Sequence, residues 1–399
     1  MTPPQDAKPV PAAAQTPAAA GPHDAEAVSE RSLVTSPSVP GNVHHAVPGN
    51  VHEPVPGNVR NAARSASDAD TGSDAKADRP AHRRTPLLSV RGLSVRFRMR
   101  GGRHIAAVAD ADFDLAQGEC LALVGESGCG KSVLASALLG LLPGNAQTAG
   151  SALLGDVDLL TADERTLART VRGRRVGLVP QSPAAHLTPV RTVGAQLEET
   201  LRELTGTRKQ DVREAARAAA ERAAFPVDHL DRYPHELSGG LAQRAATALA
   251  LVGDAPLLLA DEPTTGLDRD LVDRTVDELR RHVDDGHALL MITHDLAAAE
   301  RVADRVAVMY AGRIVELADA TRFFRGTGPR HPYARGLLNA LPERAFAPIP
   351  GMPPELGDLP AGCAFAARCA YATESCALRP DFADGVACHH PPAQESARA

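Results

Sequence analysis

Apolar and polar residues alternate along residues 87–97, and residues 108–115 continue this pattern. Such alternation predicts half-exposed antiparallel strands. From residue 120 onward the pattern changes, because short, wholly apolar runs alternate with segments of helical periodicity. That change favours a mostly parallel sheet covered by helices. The predicted core strands are residues 121–124, 176–179, 257–259, 288–292 and 306–309.

Helical periodicity marks most of the segments between these strands. Residues 133–139 predict a helix after the first core strand, and residues 211–224 form a charged, alanine-rich run. Residues 241–251 are apolar on most faces, and after Asp268 apolar residues recur every three to four positions. Residues 310–316 predict a short hairpin, beyond which the chain is rich in Pro, Gly and Cys. These patterns together predict an α/β fold.

Both ends of the chain lack the pattern of a packed domain. Residues 1–84 are rich in Pro, Ala, Ser and His, and so cannot bury enough apolar surface to offset the entropy of ordering. Three Val-Pro-Gly-Asn-Val copies, at residues 39–43, 47–51 and 55–59, are turn-rich low-complexity sequence. We therefore predict a disordered tail over residues 1–84 and a frayed tail over residues 393–399.

The overall composition argues against two classes of protein. A formal net charge of −6 over 399 residues does not favour nucleic acid as the main partner. The chain has no apolar run near the roughly 20 residues needed to span a bilayer. Its first residues also lack the charged start and apolar core of a secretory signal. These features predict a soluble protein that faces the cytoplasm.

Residues 125–132 read Gly-Glu-Ser-Gly-Cys-Gly-Lys-Ser, a complete phosphate-binding loop between a predicted strand and a predicted helix. The glycines let main-chain N–H groups approach phosphate oxygens. Lys131 is expected to reach the β- and γ-phosphates, and the Ser132 hydroxyl to bind Mg²⁺. The predicted contacts with a nucleoside triphosphate are Gly125, Glu126, Ser127, Gly128, Cys129, Gly130, Lys131 and Ser132.

Two carboxylates follow the predicted strand at residues 257–259. Asp261 lies where a strand end can hold Mg²⁺, directly or through water. Glu262 is the candidate base that polarises the water attacking the γ-phosphate. His294 ends another predicted strand and is a candidate contact of the γ-phosphate and of Glu262. Acidic residues at an exposed strand tip would be an ordinary feature, but the phosphate loop upstream favours the catalytic interpretation.

The order of motifs along residues 87–325 resembles that of the ATP-binding-cassette (ABC) ATPases. The elements are the phosphate loop, Gln181, Leu-Ser-Gly-Gly at 237–240, Asp-Glu-Pro at 261–263, Gly-Leu-Asp at 266–268 and Thr-His-Asp at 293–295. This resemblance implies a P-loop NTPase fold, with a RecA-like core, an antiparallel β subdomain and a helical subdomain. It also implies that two cassettes close head to tail with ATP between them.

The resemblance assigns further roles residue by residue. Phe97 would stack on adenine, although it also fits a core-facing strand residue. Gln181 would contact Mg²⁺ and the attacking water and would link the site to the transmembrane partner. The remaining implied contacts, made to ATP bound in the opposite subunit, are Ser238, Gly239, Gly240 and Asp268. Asp268 equally fits a helix N-cap. The signature departs from the common Leu-Ser-Gly-Gly-Gln at Leu241, and Ala242 stands where a basic residue often lies, yet activity is still expected.

The C-terminal part is similar to the oligopeptide/dipeptide/nickel importer ATPases. The shared segments are His-Pro-Tyr-Ala-Arg-Gly-Leu-Leu at 331–338, Ile-Pro-Gly-Met-Pro-Pro at 349–354 and Pro-Ala-Gly-Cys-Ala-Phe-Ala-Ala-Arg-Cys at 360–369. The implied organisation is an ABC ATPase domain over residues 85–325 and an oligopeptide-transporter-type C-terminal region over residues 326–392.

The implied function is the ATPase subunit of an importer for peptides, nickel or a metal chelate, on the cytoplasmic face of the membrane. Implied partners are a second ATPase subunit, identical or related, two permease subunits and an extracytoplasmic binding protein. An exporter ATPase and a non-transport ABC ATPase are the alternatives.

Four cysteines crowd into this C-terminal extension, at Cys363, Cys369, Cys376 and Cys388. In a reducing cytoplasm such a cluster favours a metal site over a disulfide framework. Their spacing is not a zinc-finger pattern, so unligated thiols and zinc both stay open as interpretations. The resemblance implies a [4Fe-4S] cluster at these positions.

Overall fold

The computed structural model describes residues 85–391, so the predicted tails at 1–84 and 393–399 lie outside the described residues. Its strands are β1 (Pro86–Arg98), β2 (His104–Ala116), β3 (Cys120–Val124), β4 (Ala146–Leu154), β5 (Val157–Asp158), β6 (Val176–Val179), β7 (Leu257–Asp261), β8 (Ala288–Thr293), β9 (Arg305–Tyr310) and β10 (Arg313–Asp319). Its α-helices are α1 (Lys131–Leu138), α2 (Glu164–Thr166), α3 (Pro183–His186), α4 (Val193–Thr205), α5 (Val212–Arg222), α6 (Gly239–Leu251), α7 (Arg269–Asp284), α8 (Leu296–Val302), α9 (Ala320–Phe324) and α10 (Pro332–Asn339). Shorter helical turns span Leu167–Val171, Val227–His229, Pro234–Glu236, Ala366–Arg368 and Glu374–Ala377.

Six strands form the central sheet, in the order β10-β9-β3-β8-β7-β6. The five strands from β9 to β6 run parallel, and β10 pairs antiparallel with β9 at the edge. Every residue of β3, β7 and β8 is buried, which explains why their sequences are apolar apart from Asp261 and Thr293 at the ends of β7 and β8. The predicted parallel sheet is thus confirmed. Because parallel strands end at one edge, the loops after β3, β7 and β8 meet there.

A second, antiparallel sheet has the order β2-β1-β4-β5. In β1 the apolar residues Leu88, Val90, Leu93 and Val95 are fully buried, and irregular pairing around Gly92 keeps all four on the core side. The alternation of residues 87–97 therefore predicted this strand correctly. It did not predict β4, because most residues of that strand are exposed and carry no apolar pattern.

Helices α3 to α6 enclose an apolar cluster of their own, which includes Val193, Leu197, Phe225 and Ala245. This cluster accounts for the predicted helical subdomain. Within residues 85–391, none of the helices combines the length and the apolar character needed to cross a membrane.

The C-terminal region packs against the strand that leads into the phosphate loop. Its buried cluster contains Tyr310, Tyr333 and Phe365 together with Ala122 and Val124 of β3. The Tyr310 and Tyr333 rings lie 4.4 Å apart between centroids. The region is therefore continuous with the core rather than an appendage, and it packs beside the strand that leads into the phosphate loop.

Candidate nucleotide site

The phosphate loop joins the end of β3 to the start of α1, and two of its glycines are required by the close approach of other strands. A Cβ atom at Gly125 would lie 2.2 Å from the carbonyl oxygen of Met309 in β9. A Cβ atom at Gly130, whose φ is 107°, would lie 2.2 Å from the carbonyl oxygen of Ala107 in β2. No side chain fits at either position, so the loop's main chain is held closely against both strands.

Lys131 begins α1, and its side chain lies buried against the loop. Its Nζ donates hydrogen bonds to the carbonyl oxygens of Gly125 at 2.7 Å and Glu126 at 3.1 Å. The ammonium group is therefore held within the loop, where a triphosphate needs positive charge. Ser132 follows in the first turn of α1, whose free N–H groups add a partial positive charge.

The remaining loop residues differ in exposure. Ser127 and Gly128 are exposed at the tip, whereas Cys129 is buried. Burial raises the pKa of the Cys129 thiol, which keeps it protonated. A small neutral group at this position agrees with a spacer inside the loop.

Asp261 is the last residue of β7, and its surroundings fit a divalent cation. The side chain is buried, and its Oδ1 atom has no hydrogen-bond partner within residues 85–391. Burial raises the pKa of this carboxyl, while hydrogen bonding from Ser132 opposes the rise. An unpartnered buried carboxylate oxygen is costly, and a bound cation would satisfy it. Asp261 and Ser132 are therefore placed to hold Mg²⁺.

Glu262 directly follows β7, and its side chain contacts His294, which directly follows β8. Its main chain has φ 52°, a strained value for a residue with a side chain, and its N–H donates to the Ile292 carbonyl oxygen at 2.8 Å. Its Oε2 lies 2.7 Å from His294 Nδ1. Glu262 is 8% exposed at the side chain and His294 is 59% exposed. The structure thus joins the predicted base and the predicted histidine in one pair.

Across residues 85–391, the predicted signature residues make their hydrogen bonds within their own helices and not with the phosphate loop. Ser238 is the N-cap of α6 and accepts from the Leu241 N–H, and Asp268 is the N-cap of α7 and accepts from the Leu271 N–H at 3.0 Å. Both side chains are exposed. A Cβ on Gly240 would lie 3.4 Å from Leu267, so the two helix starts are neighbours. Gly239 is exposed beside them. In the part of the chain that the structure describes, no hydrogen bond joins Ser238 or Asp268 to the phosphate loop.

Phe97 and Gln181 have contrasting environments. Phe97 lies near the end of β1, is half-buried and packs against the main apolar cluster. This packing accords with the core-facing interpretation of its ring. Gln181 follows β6 at the sheet's nucleotide-binding edge and is exposed.

Two residues that contact the loop carry no prediction from the sequence. Tyr333 and Arg368, both in the C-terminal region, hydrogen-bond to the main chain and the carboxylate of Glu126. Opposite charges at Glu126 and Arg368 are the only sequence signal that could have paired them. A separation of 242 residues hides that signal, since charge alone does not identify a partner at such a distance.

The four C-terminal cysteines line one small cavity, which His331 and Phe365 also border. All four are free thiols, and burial raises the pKa of Cys363 and of Cys388. Among the described residues, no group of three or more His, Cys, Asp or Glu side chains is arranged to hold a metal ion. The predicted convergence of the four thiols is present, whereas a formed metal-ligand geometry is not.

The architecture is that of a P-loop NTPase of the ATP-binding-cassette type. The fold matches the cassette MJ0796 in a dimeric post-hydrolysis state bound to ADP and Pi, with a TM-score of 0.54, 24% identity and coverage of 59% of this chain and 99% of that one. A second dimeric structure of MJ0796 matches with a TM-score of 0.53. The predicted fold class is confirmed.

Sequence comparisons define the family more closely. Residues 108–265 match the ABC transporter family, and residues 315–376 match the oligopeptide/dipeptide transporter C-terminal region. A putative peptide import ATP-binding protein of Brucella melitensis biotype 1 is 42% identical over 314 residues, which cover 73% of this chain and 92% of the relative. The oligopeptide transport ATP-binding protein OppD of Haemophilus influenzae is 39% identical over 305 residues, covering 74% and 93% respectively. The chain belongs to the oligopeptide/dipeptide branch of the ABC transporter ATP-binding proteins.

Proposed function

We propose that this chain is the ATP-hydrolysing subunit of an ABC importer for di- or oligopeptides or a related small solute, such as nickel or a metal chelate. The observation that carries the proposal is the meeting of the phosphate loop with Asp261 and the Glu262–His294 pair at one edge of the sheet. The peptide-import names of relatives and the match in the C-terminal region support import over the exporter and non-transport alternatives.

In this proposal the two carboxylates have separate tasks. Lys131 and the loop's N–H groups bind the phosphates. Ser132 and Asp261 would hold Mg²⁺, which would offset phosphate charge. Glu262 accepts the proton of the attacking water, and His294 orients that carboxylate through the 2.7 Å contact. The half-buried Phe97, which packs against the core, would also border the adenine, and the exposed Gln181 would contact Mg²⁺ and the water.

The base assignment is tested by Glu262→Gln, with the exposed Glu355→Gln as the matched control. Because a positioned base contributes about 100-fold or more, Glu262→Gln should reduce ATP turnover by at least that factor. ATP binding should persist, and ATP-bound dimers should accumulate. Glu355→Gln should behave as the unsubstituted protein. Normal turnover in Glu262→Gln would remove Glu262 as the base.

The proposed site is shared between two cassettes. Ser238, Gly239, Gly240 and Asp268 would meet ATP held by a second ATPase subunit, identical or related. Membrane permease partners follow from the family, and we propose two such subunits together with an extracytoplasmic substrate-binding protein. The chain would then act at the cytoplasmic face of the membrane. Co-purification with permeases encoded beside it, and peptide-stimulated ATP hydrolysis by that assembly, test this composition.

For the cysteine cavity we propose a [4Fe-4S] cluster held by Cys363, Cys369, Cys376 and Cys388. Four free thiols around one cavity supply the donor set that such a cluster requires. Protein purified without oxygen should contain iron and absorb visible light. Cys369→Ser should lose both, whereas Cys129→Ala, outside the cavity, should keep them. If the purified protein is colourless and contains zinc, the cavity is a zinc site. If it contains no metal, the four cysteines are unligated thiols.

A further inference from the structure

Glu126, the second residue of the phosphate loop, forms an ion pair with Arg368 of the C-terminal region. Arg368 Nη1 lies 2.8 Å from Glu126 Oε2, and Arg368 Nη2 lies 2.9 Å from Glu126 Oε1. This bidentate geometry is the strongest form of a carboxylate–guanidinium pair. The Arg368 side chain is only 5% exposed, so the pair is not an ordinary surface salt bridge.

Arg368 is itself fixed before it reaches the loop. Its Nε donates to the Pro350 carbonyl oxygen at 2.9 Å, and Nη1 also donates to the Tyr310 hydroxyl at 3.2 Å. Its guanidinium carbon lies 5.8 Å from the ring centroids of Tyr310 and of Phe365. The group is thus held in place by Pro350 and Phe365 of the C-terminal region and by Tyr310 of β9, and does not depend on Glu126 alone for its position.

The main chain of Glu126 is held as firmly as its side chain. Its N–H donates to the Tyr333 hydroxyl at 2.8 Å, and its carbonyl oxygen accepts from Lys131 Nζ at 3.1 Å. All three polar parts of Glu126 therefore have partners, and two of the three partners belong to the C-terminal region. Two of the three contacts that fix Glu126 in the phosphate loop are therefore made by residues outside the ABC ATPase domain.

We propose that Arg368 and Tyr333 are positioning residues of the nucleotide site, through which the C-terminal region sets the geometry and charge of the phosphate loop. This inference rests on the proposed ATP site. A triphosphate and the Glu126 carboxylate repel each other, and Arg368 neutralises that carboxylate. The Tyr333 hydroxyl fixes the neighbouring peptide group. The Glu262–His294 pair, which directly follows β7 and β8, has no hydrogen bond to either residue in the described part of the chain, so the contribution falls on ATP affinity rather than on the chemical step.

The test measures the dissociation constant of magnesium and the fluorescent nucleotide MANT-ATP with the full-length chain. Arg368→Ala should weaken binding about tenfold, because Glu126 is left as an unpaired charge beside the phosphates. Glu126→Gln added to Arg368→Ala should restore affinity to within about threefold of the unsubstituted chain, because the repelling charge is removed. Arg335→Ala is the matched control, since Arg335 stacks on Tyr371 in the same region.

A second readout separates positioning from general stability. In the ATPase assembled with its permease partners, Arg368→Ala should raise KM for ATP while kcat changes by less than about twofold. Tyr333→Phe keeps the buried ring and should weaken MANT-ATP binding about threefold. It replaces Arg368→Ala as the test if that variant does not fold.

The outcomes distinguish this inference from the function beneath it. If the unsubstituted chain binds no MANT-ATP, the proposed ATP site fails. If the unsubstituted chain binds while Arg368→Ala and Tyr333→Phe bind equally well, only the positioning role is overturned. Weak binding by Arg368→Ala that Glu126→Gln does not restore would also overturn it, because a structural defect would then explain the loss.

Discussion

The phosphate-loop side of the site and the signature side differ in how the chain holds them. Lys131, Asp261 and Glu262 are buried and are fixed by contacts inside the chain. Ser238 and Asp268 are exposed, and each accepts a hydrogen bond from the N–H three residues ahead in its own helix. The first side is preorganised by the core, whereas the second is displayed at the surface.

This difference separates what one chain can do alone from what requires a second subunit. Groups fixed in a buried, low-dielectric site interact strongly with charge, so the phosphate-loop side should dominate binding of the nucleotide. Exposed caps add little to binding within one chain, and their proposed effect requires a second subunit. Substitution of Lys131 should therefore weaken nucleotide binding in the isolated chain, whereas substitutions on the signature side should act only in the assembled ATPase.

The largest expected effect is on the phosphate-loop side. Lys131→Ala removes the ammonium that lies against Gly125 and Glu126, and should weaken MANT-ATP binding by about 100-fold or more. The exposed Lys209→Ala is the control and should bind as the unsubstituted chain does. Fluorescence titration with the isolated chain measures both. Equal affinities for the two variants would contradict the assignment of Lys131.

A smaller effect is expected on the signature side. Gly240→Ala adds a Cβ that meets Leu267 at an ordinary contact distance of 3.4 Å, so the variant should fold. The added methyl group stands where ATP of a second subunit would approach, and should lower ATP turnover of the assembled ATPase about tenfold. MANT-ATP binding to the isolated chain should not change. Gly144→Ala, at an exposed glycine with open space around it, is the control.

Sequence motifs point to the proposed nucleotide site more directly than to its surroundings. The loop at 125–132, Asp261 and Glu262 were identifiable because the chemistry of phosphate and magnesium demands certain residues at fixed spacing. The parallel sheet was identifiable from its fully apolar strands. Contact between Glu262 and His294 was expected because each follows a predicted strand. The structure pairs those strands as neighbours and places the two side chains 2.7 Å apart.

Features that depend on distant packing were not visible in the sequence. The pairing of Arg368 with Glu126 joins positions 242 residues apart, and no local pattern encodes it. Strand β4 was missed because its pairing with β1 is made by the backbone, while most of its side chains are exposed and only Ala152 and Leu154 are buried. For Phe97 the local pattern is visible but ambiguous, because the same alternation fits both a core residue and an adenine contact.

The smallest effect tests whether Asp268 is only a helix cap. Its Oδ1 accepts from the Leu271 N–H, and Asn caps helices as well as Asp does. Asp268→Ala should therefore lower the free energy of unfolding by about 1 kcal/mol, while Asp268→Asn should leave it nearly unchanged. If Asp268 also crosses to a second subunit, Asp268→Asn should lower turnover of the assembled ATPase about threefold, because the charge is lost at constant stability. Denaturant unfolding and ATP turnover measured on both variants decide the matter. If turnover follows stability alone, Asp268 is only a helix cap. The proposed contacts with the second subunit would then be limited to Ser238, Gly239 and Gly240.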